Sequence, residues 1–223
     1  MSATWDLYRR RSGLVLGFHG CDRSLGEKVL RGEQSLKVSA NAYDWLGTGI
    51  YFWENNPRRA LEFAEEAAKG SPLSKGVIKE PFVVGAVLDL GYCLDLLETD
   101  SLDEMTKAYE FYAAASQASG LELAENKGPD RQRRFLDRAV VEAVHHLREK
   151  GNLETYDSVR AAFWEGGDLY PGAGFQKQTH IQLAVRNASC IKGYFGVREK
   201  HEQLATSTSK PAAKNPARRK TSR

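Results

Sequence analysis

The stretch Leu46-Gly47-Thr48-Gly49-Ile50-Tyr51-Phe52 carries the strongest local signal in this chain. Two glycines separated by one residue lead into a β-branched and aromatic run that is typical of a strand. Glycine has no Cβ, so a ligand can approach its backbone closely, and we expect this at Gly49. Side chains alternate along a strand, so Tyr51 and Phe52 point to opposite faces. Tyr51 therefore offers a flat ring for stacking, together with a hydroxyl.

A second signal lies about thirty residues earlier. The run Leu14-Val15-Leu16-Gly17-Phe18-His19-Gly20 is typical of a short buried strand that ends in glycine. A histidine there can donate to a ligand hydroxyl while the protein holds its other ring nitrogen. Alone, His19 is equally well explained as an ordinary half-buried histidine. The Gly-x-Gly precedes its strand, so it is not a Rossmann fingerprint, and the sequence contains no P-loop pattern.

Outward from these segments, the pattern predicts alternating strands and helices. Asp22 or Ser24 is expected to cap a helix, and Pro57 to begin one over residues 58–69. Further strands are predicted at 81–90, 92–96, 179–185 and 190–195. Between them the three- and four-residue apolar spacing predicts helices at 102–118, 131–150 and 154–163, and thus a helical insertion over about residues 100–163.

Together the two segments resemble the ADP-ribosyltransferase superfamily, in the branch of the poly(ADP-ribose) polymerases and diphtheria toxin. In that branch a strand ends in His-Gly, and a Gly-x-Gly-Ile-Tyr-Phe strand follows. The resemblance covers residues 14–68, and beyond them it rests on strand order. It implies an α+β fold with a split antiparallel β-sheet core, here with a helical insertion. It also implies that NAD is the substrate and that no metal is needed.

The resemblance assigns roles to residues of this first part of the chain. His19 would hold the adenosine ribose of NAD, and the backbone of Gly20 would pair with the nicotinamide amide. Tyr51 would stack on the nicotinamide. Two residues of the intervening loop, Ser39 and Asn41, would line the pocket.

The late strand departs from the family pattern. Related proteins carry a catalytic Glu there, whereas Gln178-Thr179-His180-Ile181-Gln182-Leu183-Ala184-Val185 contains no acid. His180 stands in the expected place and can accept a ribose hydroxyl bond, but it supplies no negative charge for a cationic transition state. Glu165, in the glycine-rich and aromatic stretch before this strand, is the alternative source of a carboxylate. The competing interpretation of Glu165 is a helix-end charge that faces water.

Composition narrows the class of protein. The 223 residues suit one elaborated domain, which we place at 1–202. Residues 203–223 hold six basic residues and no acid, which leaves 26 basic and 29 acidic residues elsewhere. This tail is expected to be disordered and to serve as an arm for nucleic acid or as a solubilising terminus.

No signal peptide or membrane span is expected. The three cysteines form no CxxC pair, and a cytoplasmic location is expected.

Two functions follow from the resemblance. The first is a mono-ADP-ribosyltransferase that transfers ADP-ribose from NAD to a macromolecular acceptor and releases nicotinamide. RNA or DNA is slightly favoured as the acceptor, and protein stays open. Chains of this type act as toxins or in phage defence, which implies a possible antitoxin partner. The second function is an inactive module that binds NAD, ADP-ribose or a partner. An unrelated α+β protein is the third alternative.

Overall fold

A computed structural model describes residues 13–70, 78–128 and 133–198. The strands are β1 (Leu14–Asp22), β2 (Ile50–Glu54), β3 (Pro81–Asp89), β4 (Cys93–Asp95), β5 (Asn126–Lys127), β6 (Arg133–Arg134), β7 (Ser158–Phe163), β8 (His180–Val185) and β9 (Ile191–Gly196). The α-helices are α1 (Arg23–Leu30), α2 (Pro57–Ala68), α3 (Thr99–Ala118) and α4 (Phe135–Lys150). The chain is thus a mixed α and β protein.

Seven strands form one sheet in the order β4-β7-β8-β2-β1-β3-β9, and β5 pairs with β6. Neighbouring strands of the large sheet are antiparallel except β4 and β7, which are parallel. The expectation of a largely antiparallel α+β fold is therefore confirmed. One buried apolar cluster includes Phe52, Leu88 and Leu183 of the central strands. A second cluster packs Val141 and Val144 of α4 against Val159 of β7.

The two strands that carry the sequence signals part from each other. β1 pairs with β3 along all nine of its residues, from Leu14↔Asp89 to Asp22↔Pro81. Its register with β2 contains just Gly17↔Glu54 and Phe18↔Trp53. Beyond Phe18, the edge of β1 that faces β2 therefore has no strand partner. This parting opens the sheet next to His19.

The helix predicted at 154–163 is wrong. Ser158–Phe163 is a strand, β7, between β4 and β8, and five of its six residues are buried. A short alanine-containing apolar run fits a buried helix or a buried strand equally well by periodicity. Backbone pairing on both sides decides in favour of the strand. The helical part of the expected insertion is thus α3 and α4, and it does not reach residue 163.

The predicted starts of α1 and α2 are confirmed. Asp22 caps α1, because its side chain accepts a hydrogen bond from the Ser24 amide at 3.0 Å. Asn56 caps α2 through the Arg59 amide at 3.0 Å, and Pro57 opens the helix. Within the described ranges no helix is long and apolar enough to span a membrane. The expected basic tail at 203–223 lies outside the described residues.

Candidate functional site

A cavity of about 260 Å³ opens where β1 and β2 part. Its walls come from β1, β2, α2, residues 37–45 and the segment that joins β7 to β8. Six of the eight residues expected at the site line it: His19, Ser39, Asn41, Tyr51, Glu165 and His180. Gly20 and Gly49 are not among the lining residues.

His19 links the two strands that part. Its Nδ1 lies 2.8 Å from the carbonyl oxygen of Tyr51. A carbonyl can only accept, so Nδ1 carries the proton, and in the neutral ring Nε2 is an acceptor. Burial lowers the pKa of His19, outweighing the hydrogen bond to Tyr51, so the neutral form dominates at pH 7. The protein holds one ring nitrogen as expected, but the other is free to accept a hydrogen bond and not to donate one.

Gly20 is required by helix packing. A Cβ at this position would lie 2.1 Å from the carbonyl oxygen of Ala60 and 3.3 Å from the Ala64 side chain. Both residues belong to α2, which crosses this end of β1 at close range. The glycine therefore lets α2 approach the strand. Hydrogen bonding between the Gly20 backbone and a nicotinamide amide stays a prediction.

Tyr51 lines the cavity, while its hydroxyl is used by the protein. The hydroxyl donates to the Gly47 carbonyl at 2.7 Å and accepts from the Leu46 amide at 3.1 Å. Burial raises the pKa of Tyr51 well above its usual value, and the nearby Asp44 adds to this. The hydroxyl is thus a structural anchor and no candidate acid or base. The ring is what Tyr51 offers to a ligand.

The loop that precedes β2 forms a polar rim. The Ser39 hydroxyl donates to Asp44 at 2.6 Å, and the Asn41 side chain donates to Ser39 at 2.9 Å. Ser39 and Gly49 exchange two backbone hydrogen bonds, at 2.8 and 3.0 Å. A Cβ at Gly49 would meet the Val185 carbonyl at 3.1 Å, so this glycine serves strand packing. Ser39 and Asn41 remain in reach of a ligand, and Gly49 holds the loop behind them.

His180 lies at the opposite wall. Its Nδ1 is 2.7 Å from the Gln178 carbonyl, which again makes Nε2 the acceptor in the neutral ring. The centroid of the His180 ring lies 5.4 Å from that of Phe163 and 6.2 Å from that of Trp53. Burial lowers the pKa of His180, although the Gln178 carbonyl and Glu165 act in the other direction. Within the described ranges no hydrogen bond engages Nε2 of His19 or of His180.

Glu165 is buried beside His180, with 8% of its surface exposed, so it is not a charge that faces water. Its Oε1 accepts from Arg59 Nη2 at 2.5 Å and from Nε at 3.2 Å. The same oxygen lies 3.9 Å from Nδ1 of His180. No hydrogen bond to a described residue involves Oε2. A carboxylate is therefore present at the cavity although the late strand contains none, and Arg59 partly neutralises it.

Arg59 is a cavity residue that the sequence analysis missed. It lies on α2 with 7% of its surface exposed, and Nη1 is 3.7 Å from Glu66 Oε1. A signal was available, because Arg59, Phe63 and Glu66 fall at i, i+4 and i+7 on one helix face, and all three line the cavity. The sequence analysis also missed Glu142, an α4 residue outside the cavity lining. It accepts from the Thr48 amide at 2.6 Å.

The chemistry of the cavity is that of an acceptor-lined, aromatic pocket. His19, His180 and Glu165 present acceptor atoms, which match the donors of a sugar diol. Tyr51, Trp45 and Trp53 supply aromatic surface for a planar ring. The described parts of the chain hold no group of three or more His, Cys, Asp or Glu suited to a metal ion. The arrangement therefore fits an organic ligand with hydroxyls and a flat ring.

No protein-family model, no curated protein and no solved structure matches the chain. The class that the structure defines is a mixed α and β protein with a large, mostly antiparallel sheet and a cavity at its parted strands.

Proposed function

We propose that this chain binds NAD in the cavity and transfers ADP-ribose to a macromolecular acceptor, with release of nicotinamide. One observation carries the proposal. The imidazoles of His19 and His180, the ring of Tyr51 and the carboxylate of Glu165 come from four separate segments and line one cavity. Convergence of titratable and aromatic side chains in a concave pocket is frequent at functional sites.

Binding would use the cavity wall that holds His19 (the His19 wall) and the opposite wall that holds His180 (the His180 wall). Nε2 of His19 would accept from a ribose hydroxyl, and the Tyr51 ring would stack on the nicotinamide. Nε2 of His180 would accept from a hydroxyl of the second ribose. Lys37, an exposed cation that also lines the cavity, is placed to meet the phosphates. None of the protein atoms in these contacts is hydrogen-bonded to a described residue.

Transfer breaks the bond between the nicotinamide nitrogen and C1′ of its ribose. Nicotinamide leaves with the bonding pair, and positive charge builds up on the sugar. A nucleophile of the acceptor then attacks C1′, forms the new bond to it and loses its proton to water. Glu165 would stabilise the cationic sugar through its carboxylate, in the role that a late-strand Glu has in the resembled family. Neutral His180 would orient the ribose without adding charge.

The segment between β7 and β8 supports a macromolecular acceptor. Trp164, Tyr170 and Phe175 are 55%, 56% and 65% exposed, and they lie in the same segment as Glu165. Exposed aromatic residues beside a pocket are typical of a surface that meets a partner. Nucleic acid stays slightly favoured over protein, because bases stack on such rings and the tail at 203–223 is basic.

The second candidate is a binding module without turnover. Its support is the ion pair between Arg59 and Glu165, which lowers the negative charge that a cationic transition state would meet. In this case the cavity binds NAD or ADP-ribose and no bond is broken.

Incubation with NAD labelled in the nicotinamide and, separately, in the adenosine tests both. Release of nicotinamide by the wild type that is lost in His19→Ala and Tyr51→Ala supports an enzyme. Matched controls are His146→Ala and Tyr109→Ala, since both side chains are exposed on the helices away from the cavity. Binding without release supports the module. If neither NAD nor ADP-ribose binds, both candidates are overturned.

A further inference from the structure

Glu142 on α4 reaches the loop that precedes β2. Its Oε1 accepts from the Thr48 amide at 2.6 Å and from the Thr48 hydroxyl at 2.7 Å. Glu142 does not line the cavity. The contact joins residues 94 positions apart, so it ties the helical part of the chain to the Gly-x-Gly loop.

Other charged groups keep Glu142 ionised. Arg186 Nη1 lies 3.6 Å from its Oε2 and donates to the Thr48 carbonyl at 3.2 Å. Arg138 lies 4.0 Å away on the same helix. Burial acts to raise the pKa of Glu142, but the hydrogen bonds from Thr48 and the charge of Arg186 outweigh it and the pKa is lowered. His145 also faces this carboxylate, but burial lowers its pKa to about 3, so it is neutral at pH 7.

The loop held by Glu142 also holds Tyr51. The Tyr51 hydroxyl bonds to the Gly47 carbonyl and the Leu46 amide, directly before Thr48. Leu46 is fully buried in the apolar cluster that contains Val141 and Val144 of α4. Gly47 has φ +77°, and a Cβ there would lie 3.0 Å from both Glu142 and Val141. The loop therefore fits closely between α4 and the Tyr51 side chain.

We propose that Glu142 is a positioning residue that fixes residues 46–49 and thereby sets the Tyr51 ring in the cavity. Helix α4 is then part of the binding machinery and not a separate appendage. The consequence for NAD rests on the proposed function, whereas the effect on the loop does not.

The test compares Glu142→Ala with Glu142→Gln, and Glu149→Ala serves as the control because Glu149 is exposed on the same helix. The first readout is hydrogen exchange of the Thr48 amide without NAD. We expect exchange about tenfold faster or more in Glu142→Ala, because a partly buried amide loses its acceptor. Gln keeps an acceptor oxygen, so Glu142→Gln should recover most of the protection.

The second readout is steady-state kinetics with NAD. Misplacement of the Tyr51 ring should raise KM about tenfold in Glu142→Ala and leave kcat within a factor of about three. Glu142→Gln should lie close to the wild type. If Glu142→Ala does not fold, Thr48→Val replaces it, since this variant removes the hydroxyl bond and keeps the amide.

Each result decides the proposal. Unchanged exchange at Thr48 in Glu142→Ala would show that Glu142 does not hold the loop. Faster exchange with an unchanged KM would show that the loop does not set the cavity. If the wild type itself binds no NAD, the proposed function fails, and the exchange comparison alone decides whether Glu142 fixes the loop.

Discussion

The two walls of the cavity present the same hydrogen-bonding group in different electrostatic settings. His19 and His180 both bond a backbone carbonyl through Nδ1, at 2.8 and 2.7 Å, and both offer Nε2 as an acceptor. Beside His19 lies the uncharged ring of Phe52, whereas beside His180 lies the Arg59–Glu165 ion pair. A neutral wall suits ground-state binding of hydroxyls, and a charged wall suits stabilisation of a charge that develops later. If the proposed function holds, we therefore expect the His19 wall to serve binding and the His180 wall to serve transfer.

The largest expected effect is at Glu165. Glu165→Gln removes the negative charge from the His180 wall and keeps the shape, so kcat should fall about 10²–10³-fold with little change in NAD affinity. His19→Ala should act oppositely and weaken NAD binding more than it lowers kcat. Pre-steady-state nicotinamide release and titration of binding separate the two parameters.

Glu62→Gln is the control for this pair of variants, because Glu62 lies on α2 outside the cavity lining and pairs with the exposed Arg58. Thermal unfolding should accompany the kinetics, since Glu165→Gln leaves the buried Arg59 guanidinium with a weaker partner. If both variants changed the same parameter by the same factor, the division of labour between the walls would be wrong.

The second effect concerns stability on the His19 wall. Gly20→Ala should destabilise the fold by about 1–3 kcal/mol, because the new Cβ would sit against the Ala60 carbonyl and force α2 away from β1. Gly193→Ala on β9 is the matched control, since a Cβ there meets nothing within 4 Å. Urea unfolding of both variants checks this. A loss of NAD binding with unchanged stability in Gly20→Ala would instead favour the ligand role predicted from the sequence.

The elements that were predicted correctly are those that depend on residues close together in the sequence. The strand over residues 14–20, the Gly-x-Gly strand, the cap at Asp22 and the helix start at Pro57 depend on neighbours along the chain, and all were predicted, although β1 continues to Asp22. β7 was mistaken for a helix because its identity depends on pairing with β4 and β8. Gly20 was correctly singled out, yet its packing against Ala60 could not be inferred without the position of α2.

The candidate site divides in the same way. His19 and Tyr51 both line the cavity. Each lies on a predicted strand, and the alternation of side chains along a strand decides to which face it points. Arg59, Glu142 and the burial of Glu165 depend on contacts 94 to 106 positions apart in the chain. Side-chain partners at such distances leave no periodic pattern in one sequence. The positions of the aromatic and imidazole rings were thus predictable, and the ion pairs around them were not.

The third effect is a pH dependence shared by the two walls. Burial lowers the pKa of His19 and of His180 below the usual value of about 6.5. The unfolded chain then binds more protons than the folded one below that pH, so both stability and Nε2 acceptance decline as the pH falls. Stability should decline as the pH falls below about 6.5, whereas NAD affinity should stay constant until the pH falls below the lowered pKa values of the folded histidines and then weaken by up to about tenfold per unit for each histidine. In His19→Gln the amide oxygen does not titrate, so the decline should be shallower. An equal decline in this variant would assign the titration to another group.

The smallest effect concerns a third histidine, which shows what burial does without a partner. His145 is 2% exposed, and in the described structure neither ring nitrogen has a hydrogen-bond partner. Its pKa, lowered to about 3 mainly by burial, keeps it uncharged. His145→Leu removes two unsatisfied polar atoms, so stability should stay the same or rise by up to about 1 kcal/mol. Denaturant midpoints measure this, and His145→Ala, which leaves a cavity, should be destabilised. A loss of more than about 2 kcal/mol in His145→Leu would mean that the ring bonds a buried water. His145 would then be a held imidazole like His19 and His180, and burial alone would not explain its pKa.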